Sequence, residues 1–152
     1  EYYPDIYDKH FIQKITSKKE FYLHRLKNEK MTLEDLCDQS FFELQSHQYF
    51  LKNLISTNTG YNVILIFHGL GVGKTCSGVS IAENFKDMYG LDENKIMILS
   101  SSNIQIGWRN TIYNPRVGGN QCTSDTYHIE DEKNIDIDRE SKRIVKKYYS
   151  FY

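Results

Sequence analysis

Gly69, Gly71, Gly73, Lys74 and Thr75 crowd into one short stretch, HGLGVGKT, with the types and spacing that can hold a phosphate. Glycines remove side-chain bulk, so successive backbone N–H groups can converge on phosphate oxygens at a helix N-terminus. Such a loop must be delivered by a strand and received by a helix. The run YNVILIF before it is short, β-branched and apolar on both faces, as a buried parallel strand should be. Behind it, CSGVSIAENFKDMYG carries Val79, Ala82, Phe85 and Tyr89 on a helical stripe that is expected to end at Gly90. A second buried run, KIMILSS, completes a βαβ unit.

The loop resembles the P-loop pattern GxxxxGK[ST], except that His68 stands where the first glycine would fall. That resemblance implies that Lys74 reaches the β- and γ-phosphates of ATP, that Thr75 gives its hydroxyl to Mg²⁺, and that Cys76 continues the nucleotide-binding segment. The plain alternative is a glycine turn with an incidental lysine. Strand before, amphipathic helix after and the Lys–Thr pair together favour the phosphate reading.

Two further segments could serve a nucleotide and its partner. SFFELQSHQYFLKNLIS spaces Phe41, Leu44, Gln48, Leu51, Leu54 and Ile55 as a helix face, and Ser40 with Glu43 forms a capping box that predicts where the helix starts. Gln48 lies in that helix, and its amide carries the donor and acceptor needed to read the edge of adenine. The stretch FxLxxxQ around it looks like the Q motif of superfamily 2 helicases, with Gln45 as the fallback; in isolation Gln48 would read as a solvated polar residue. After KIMILSS comes SSSNIQIGWRN, where Ser102, Asn103 and Arg109 are suitable donors to a nucleic-acid backbone. This resembles motif Ia of superfamily 2 motors in its P-x-x-L-x-x-x-W form, with Ile104 and Trp108 matching and Ser101 in place of proline. Trp108 itself reads better as a core residue. NIQIGWRNTIY suggests a further helix; residues from Asn114 onward turn polar and acidic before the basic, aromatic SKRIVKKYYSFY, and periodicity assigns them no element.

Composition narrows the remaining classes. The chain has 152 residues, room for one ordinary domain, and a formal charge of -1, so a nucleic-acid partner must be met through a local patch. Cys37, Cys76 and Cys122 are odd in number and far apart, which predicts plain thiols in a reducing compartment. His10, His24, His47, His68 and His128 have no metal-ligand spacing. Asp131-Glu132 imitates part of a DExx box but lacks the apolar strand that should deliver it, and no nucleophilic triad is indicated. No run is long and apolar enough for a membrane helix, and EYYPDIYDKH is unlike a signal peptide, so a soluble protein away from membranes is expected.

The stretches YPDIYDKHFIQKITSKKEF, FFELQSHQYFLKNLI, YNVILIFHGLGVGKTCS, KIMILSSSNIQIGWRN and NQCTSDTY resemble the amino-terminal region of the superfamily 2 ATPases of nucleocytoplasmic large DNA viruses, which include poxvirus nucleoside triphosphatase I and the early transcription factor ATPase subunit. The resemblance implies an α/β fold, part of a RecA-like P-loop NTPase domain whose parallel sheet has flanking helices. A helical N-terminal arm over residues 1–40 precedes the incomplete RecA-like portion over 41–152. It also implies DNA-dependent ATP hydrolysis with ATP and Mg²⁺, DNA rather than RNA as nucleic acid, viral transcription or replication proteins as partners, and a place in the virion and host cytoplasm. Full family members continue through a DExx box, a second RecA-like domain and arginine fingers, so the chain by itself is expected to bind nucleotide without turning it over. The competing reading is a P-loop module that regulates a protein partner without motor activity; a third is an interaction segment whose loop holds nothing.

Overall fold

A computed structural model describes residues 2–25, 42–89, 94–124, 126–129 and 136–152. Among the described residues of the predicted arm are two short helices, α1 (Phe11–Thr16) and α2 (Lys19–Tyr22). Each buries one apolar residue, Ile15 and Phe21, too little to stand alone. These helices therefore lean on α3 (Ser46–Leu54): Phe21 lies 5.1 Å from Phe50 between ring centroids, and Asn53 donates to the Glu20 carbonyl at 2.8 Å. Tyr61 closes the other side, donating to the Pro4 carbonyl and meeting Tyr3 and Phe11 edge-on.

Helix α3 starts later than the Ser40–Glu43 box predicted. Gln45 is the N-cap and Gln48 the third helical residue, and each side chain bonds the other's backbone N–H. Residues 42–45 are not helical, while Ser40 and Phe41 lie outside the described residues. A Gln pair can satisfy the same orphan N–H groups as Ser with Glu, and this pair sits where the apolar face begins.

Helix α4 (Lys74–Glu83) follows the glycine loop and stops before Asn84, whose side-chain amide donates to the Lys52 and Ile55 carbonyls at 2.6 and 3.0 Å and ties its end to that of α3. The single helix expected to reach Gly90 is thus two, with α5 (Lys86–Tyr89) after the break; Gly90 itself lies outside the described residues. Strand β1 (Ile96–Ile98) bears out the start of KIMILSS as a strand but not as a buried one, since Met97 and Leu99 are 60% and 75% exposed, and α6 (Ser102–Ile112) is the helix read from NIQIGWRNTIY. A 3-10 turn (Pro115–Val117), helix α7 (Ile137–Tyr148) and strand β2 (Tyr149–Phe151) fill the region that periodicity left unassigned. Strands β1 and β2 pair in parallel, Ile96 against Tyr149 and Ile98 against Phe151, and form the sheet of the described residues.

Around that pair gathers a core of Val79, Ile98, Ile112, Tyr113, Tyr127, Val145 and Tyr149. Its polar knot is Glu83, whose carboxylate accepts from the Tyr127 hydroxyl at 2.7 Å and from the Tyr149 hydroxyl, with Lys86 Nζ at 3.4 Å. A half-buried carboxylate with several charge-assisted partners is satisfied, and it clamps α4 to the sheet.

Two further expectations are corrected. YNVILIF forms no strand and has no strand partner among the described residues, and Val63, Leu65 and Phe67 are 90%, 89% and 93% exposed. Apolarity on both faces selects a buried strand only where flanking strands exist to cover it. Cys76 and Cys122 are not plain thiols: they form a disulfide across 46 residues of sequence, with Cα atoms 5.6 Å apart.

Candidate functional site

The turn before α4 is built by backbone conformation. Gly71 and Gly73 adopt φ of +78° and +73°, left-handed values that glycine alone takes without strain. A Cβ placed on Gly69 or Gly71 would meet nothing within 4 Å, so the outer side of the loop is open to a ligand. Gly73 caps α4 without a side-chain bond, and the first intrahelical bond reaches back only from Ser77 N to Gly73 O. The N–H groups of Lys74, Thr75 and Cys76 therefore stand at the positive end of the helix with no carbonyl one turn behind them.

Lys74 is exposed and curls over the loop, its Nζ donating to the carbonyls of His68 at 3.0 Å and Gly69 at 2.7 Å. The ammonium is thereby held above the glycines. Thr75 is half-buried in the first turn. Cys76, buried beside it, has its sulfur bonded to Cys122, so only its backbone can serve a ligand. Open glycines, free helix N–H groups and a lysine on the same loop fit a polyphosphate; Thr75 is the side chain that could add one oxygen to its metal ion. Among the described residues no group of three or more metal-ligating side chains stands ready to hold the ion by itself.

Gln48 is brought directly to this loop. Its Nε2 donates to the Gly73 carbonyl at 3.3 Å, its Oε1 accepts from Gln45 N–H at 2.9 Å, and the residue is 4% exposed. One amide proton and one carbonyl lone pair stay uncommitted. His47, and His68, which the sequence marked only as a departure from the glycine pattern, complete the junction. Their rings meet edge-on at 5.2 Å, and His47 Nε2 lies 3.4 Å from the Val72 carbonyl. Here lies a physical role for a side chain at the position where the P-loop pattern carries glycine: His68 packs the loop's entrance against α3. The sequence signals were His68 in place of the first glycine and His47 next to Gln48.

The donors after β1 divide. Ser102 and Asn103 are exposed in the first turn of α6. Arg109, two turns on, is half-buried with its guanidinium 3.8 Å over the Phe151 ring, which fixes it against β2. Trp108 packs on the core, and a Cβ on Gly78 would come within 2.8 Å of its ring, so α4 and α6 meet through this glycine.

Comparison with known proteins adds an independent line. An Acanthamoeba polyphaga mimivirus protein provisionally named ATP-dependent RNA helicase R563 is 29% identical over 99% of this chain, which covers 26% of that protein. A second from the same virus, provisionally named ATP-dependent RNA helicase L377, is 30% identical over 95% of this chain and 13% of its own length. A third, provisionally named helicase 087L, from Invertebrate iridescent virus 3, is 32% identical over 78% of this chain and 12% of its own length. The chain is similar to viral helicases. It spans about a quarter of the first relative and about an eighth of the other two. No family model and no solved structure matches it. No helix among the described residues is long and apolar enough to cross a membrane.

Proposed function

We propose that this chain is the ATP-binding part of a viral superfamily 2 helicase or translocase, acting on nucleic acid in viral transcription or DNA handling. In this reading the segment from 41 onward is the first portion of a RecA-like domain. Lys74 and the free N–H groups of α4 hold the triphosphate, Thr75 contributes to Mg²⁺, and Gln48 orients the base. ATP supplies the phosphoryl group whose release drives the motor. Ser102, Asn103 and Arg109 contact the strand backbone. The observation that carries it is the bond from Gln48 to the Gly73 carbonyl. It joins, through space, two segments that separately resemble a base-reading and a phosphate-binding motif, and the helicase names of the relatives point the same way.

The deciding experiment is titration of the full chain with a fluorescent ATP analogue and Mg²⁺, beside Lys74→Ala. Charge-assisted contacts to phosphate are worth about 1.5–3 kcal/mol each, so affinity should fall roughly 10- to 150-fold while the thermal melt stays put. Equal affinity in a folded Lys74→Ala protein would remove the reading. Two relatives carry RNA helicase in their names, whereas we favour DNA, as the viral ATPase resemblance suggests. Titration with single-stranded DNA and RNA of the same sequence separates the two, and tighter RNA binding would overturn that preference.

A further inference from the structure

We propose that Cys76 and Cys122 form a reversible redox pair that sets the order of the glycine loop and, through it, the loop's hold on phosphate. The two ends of the bond differ in rigidity. Cys122 sits between Gln121 and Thr123, both buried. Thr123 Oγ1 donates to the Ile112 carbonyl at 2.8 Å, while Gln121 accepts from Asn114 N–H and donates to the Gly118 carbonyl, each at 2.8 Å. Ile112 itself is wholly buried in the core. The segment presenting Cys122 is thus fixed by side-chain bonds that need no disulfide.

Cys76 lies in the first turn of α4, directly after Lys74 and Thr75. That turn has no side-chain cap, and the loop feeding it is exposed and built on two left-handed glycines. The covalent bond ties this turn, whose other tethers to the body of the protein are the 3.3 Å bond from Gln48 Nε2 to the Gly73 carbonyl and the 3.4 Å approach of His47 to the Val72 carbonyl, to the anchored segment. Closing it removes conformations in which the N–H groups of α4 diverge, so the oxidised form is the preorganised one.

Chemistry supplies a route in both directions. Cys122 is partly buried where Cys76 is buried, so the route begins with an external thiolate attacking the Cys122 sulfur. Attack there forms a mixed disulfide with Cys122 and expels Cys76 as a thiolate, which the N-terminal turn of α4 stabilises. A second external thiolate then attacks its own kind's sulfur in that mixed disulfide and releases Cys122. Two electrons pass to the protein, both cysteines end as thiols after taking up the two protons, and the two small thiols leave joined as a disulfide. Oxidation by a small-molecule disulfide is the reverse.

The test equilibrates the full chain in mixtures of reduced and oxidised glutathione, counts free thiols by alkylation and mass, and follows amide hydrogen exchange across residues 70–77. Expected are a reversible change of two thiols and exchange about fivefold or more faster in the reduced form, the lower end of ordinary coupling between sites. Cys122→Ser, which leaves α4 intact, should exchange at the reduced rate in every mixture. Identical exchange in both forms, or a bond that never opens or never re-forms, would overturn the inference. The effect on phosphate rests on the nucleotide reading above, and the ATP analogue separates the two. Changed exchange with no binding in either form would refute the nucleotide site and support the redox pair.

Discussion

Replacing Gly73 by alanine probes the contact between α3 and the loop, and Gly71 provides the matched reference. Both residues have left-handed φ, +73° and +78°, so either substitution carries the backbone cost of placing an L-residue there, about 1–2 kcal/mol. Only at Gly73 does a Cβ collide with a neighbour: it would sit 2.7 Å from Gln48 Nε2, against nothing within 4 Å at Gly71. Gln48 must then swing away, losing its bond to the Gly73 carbonyl and its hold on Gln45 N–H. Two hydrogen bonds at about 0.5–1.5 kcal/mol each add about 1–3 kcal/mol. Gly73→Ala should therefore destabilise by about 2–5 kcal/mol and Gly71→Ala by about 1–2 kcal/mol. Urea unfolding of the full chain measures both. In the double variant Gln48→Ala with Gly73→Ala the excess should vanish, leaving a coupling of the same size. Equal destabilisation at the two glycines, or additivity in the double variant, would refute the contact.

Three more outcomes are expected. Gly78→Ala should cost about 1–3 kcal/mol by pushing a Cβ against the ring of Trp108, the only tryptophan, whose emission reports the shift directly; unchanged emission and stability would contradict the packing. Cys122→Ser should lower stability by ~4 kcal/mol on the chain-entropy estimate for a loop closed across 46 residues, read as a lower urea midpoint that reducing agent leaves unchanged. Burial above all, with Glu83 close by, raises the Tyr127 and Tyr149 phenols well above 10, so the folded state keeps protons that the unfolded state releases. Stability from this source is present below about pH 10 and falls as pH rises beyond it, and phenolate absorbance should appear together with loss of helical signal.

The glycine loop, the strand after it and helix α6 were legible in the sequence because local chemistry specifies them: φ-permissive glycines, a β-branched run, an amphipathic stretch. Helix α3 was legible in its body but not at its start, because Ser40 with Glu43 and Gln45 with Gln48 both offer a box and only packing chooses. The Cys76–Cys122 bond and the pairing of β1 with β2 join residues about fifty positions apart, and no local pattern encodes such partnerships. For the same reason Glu83 did not stand out, since its importance lies in two hydroxyls and an ammonium brought from elsewhere. In the candidate site, residue types could nominate Lys74, Thr75 and Gln48 separately. Only the fold revealed that Gln48 touches the loop and that Arg109 is stacked on Phe151.

The uncovered stretch ahead of the loop has a consequence for handling the molecule. YNVILIF is uncharged, free of proline and glycine, rich in β-branched residues, and largely open to water on one side. Those are the attributes of segments that pair edge to edge between identical chains and go on to stack. Concentrated preparations of this polypeptide should therefore cloud or form β-rich assemblies with a delay that shortens steeply as concentration rises. Val63→Lys would act as a gatekeeper there, keeping the solution clear without touching Lys74 or Gln48.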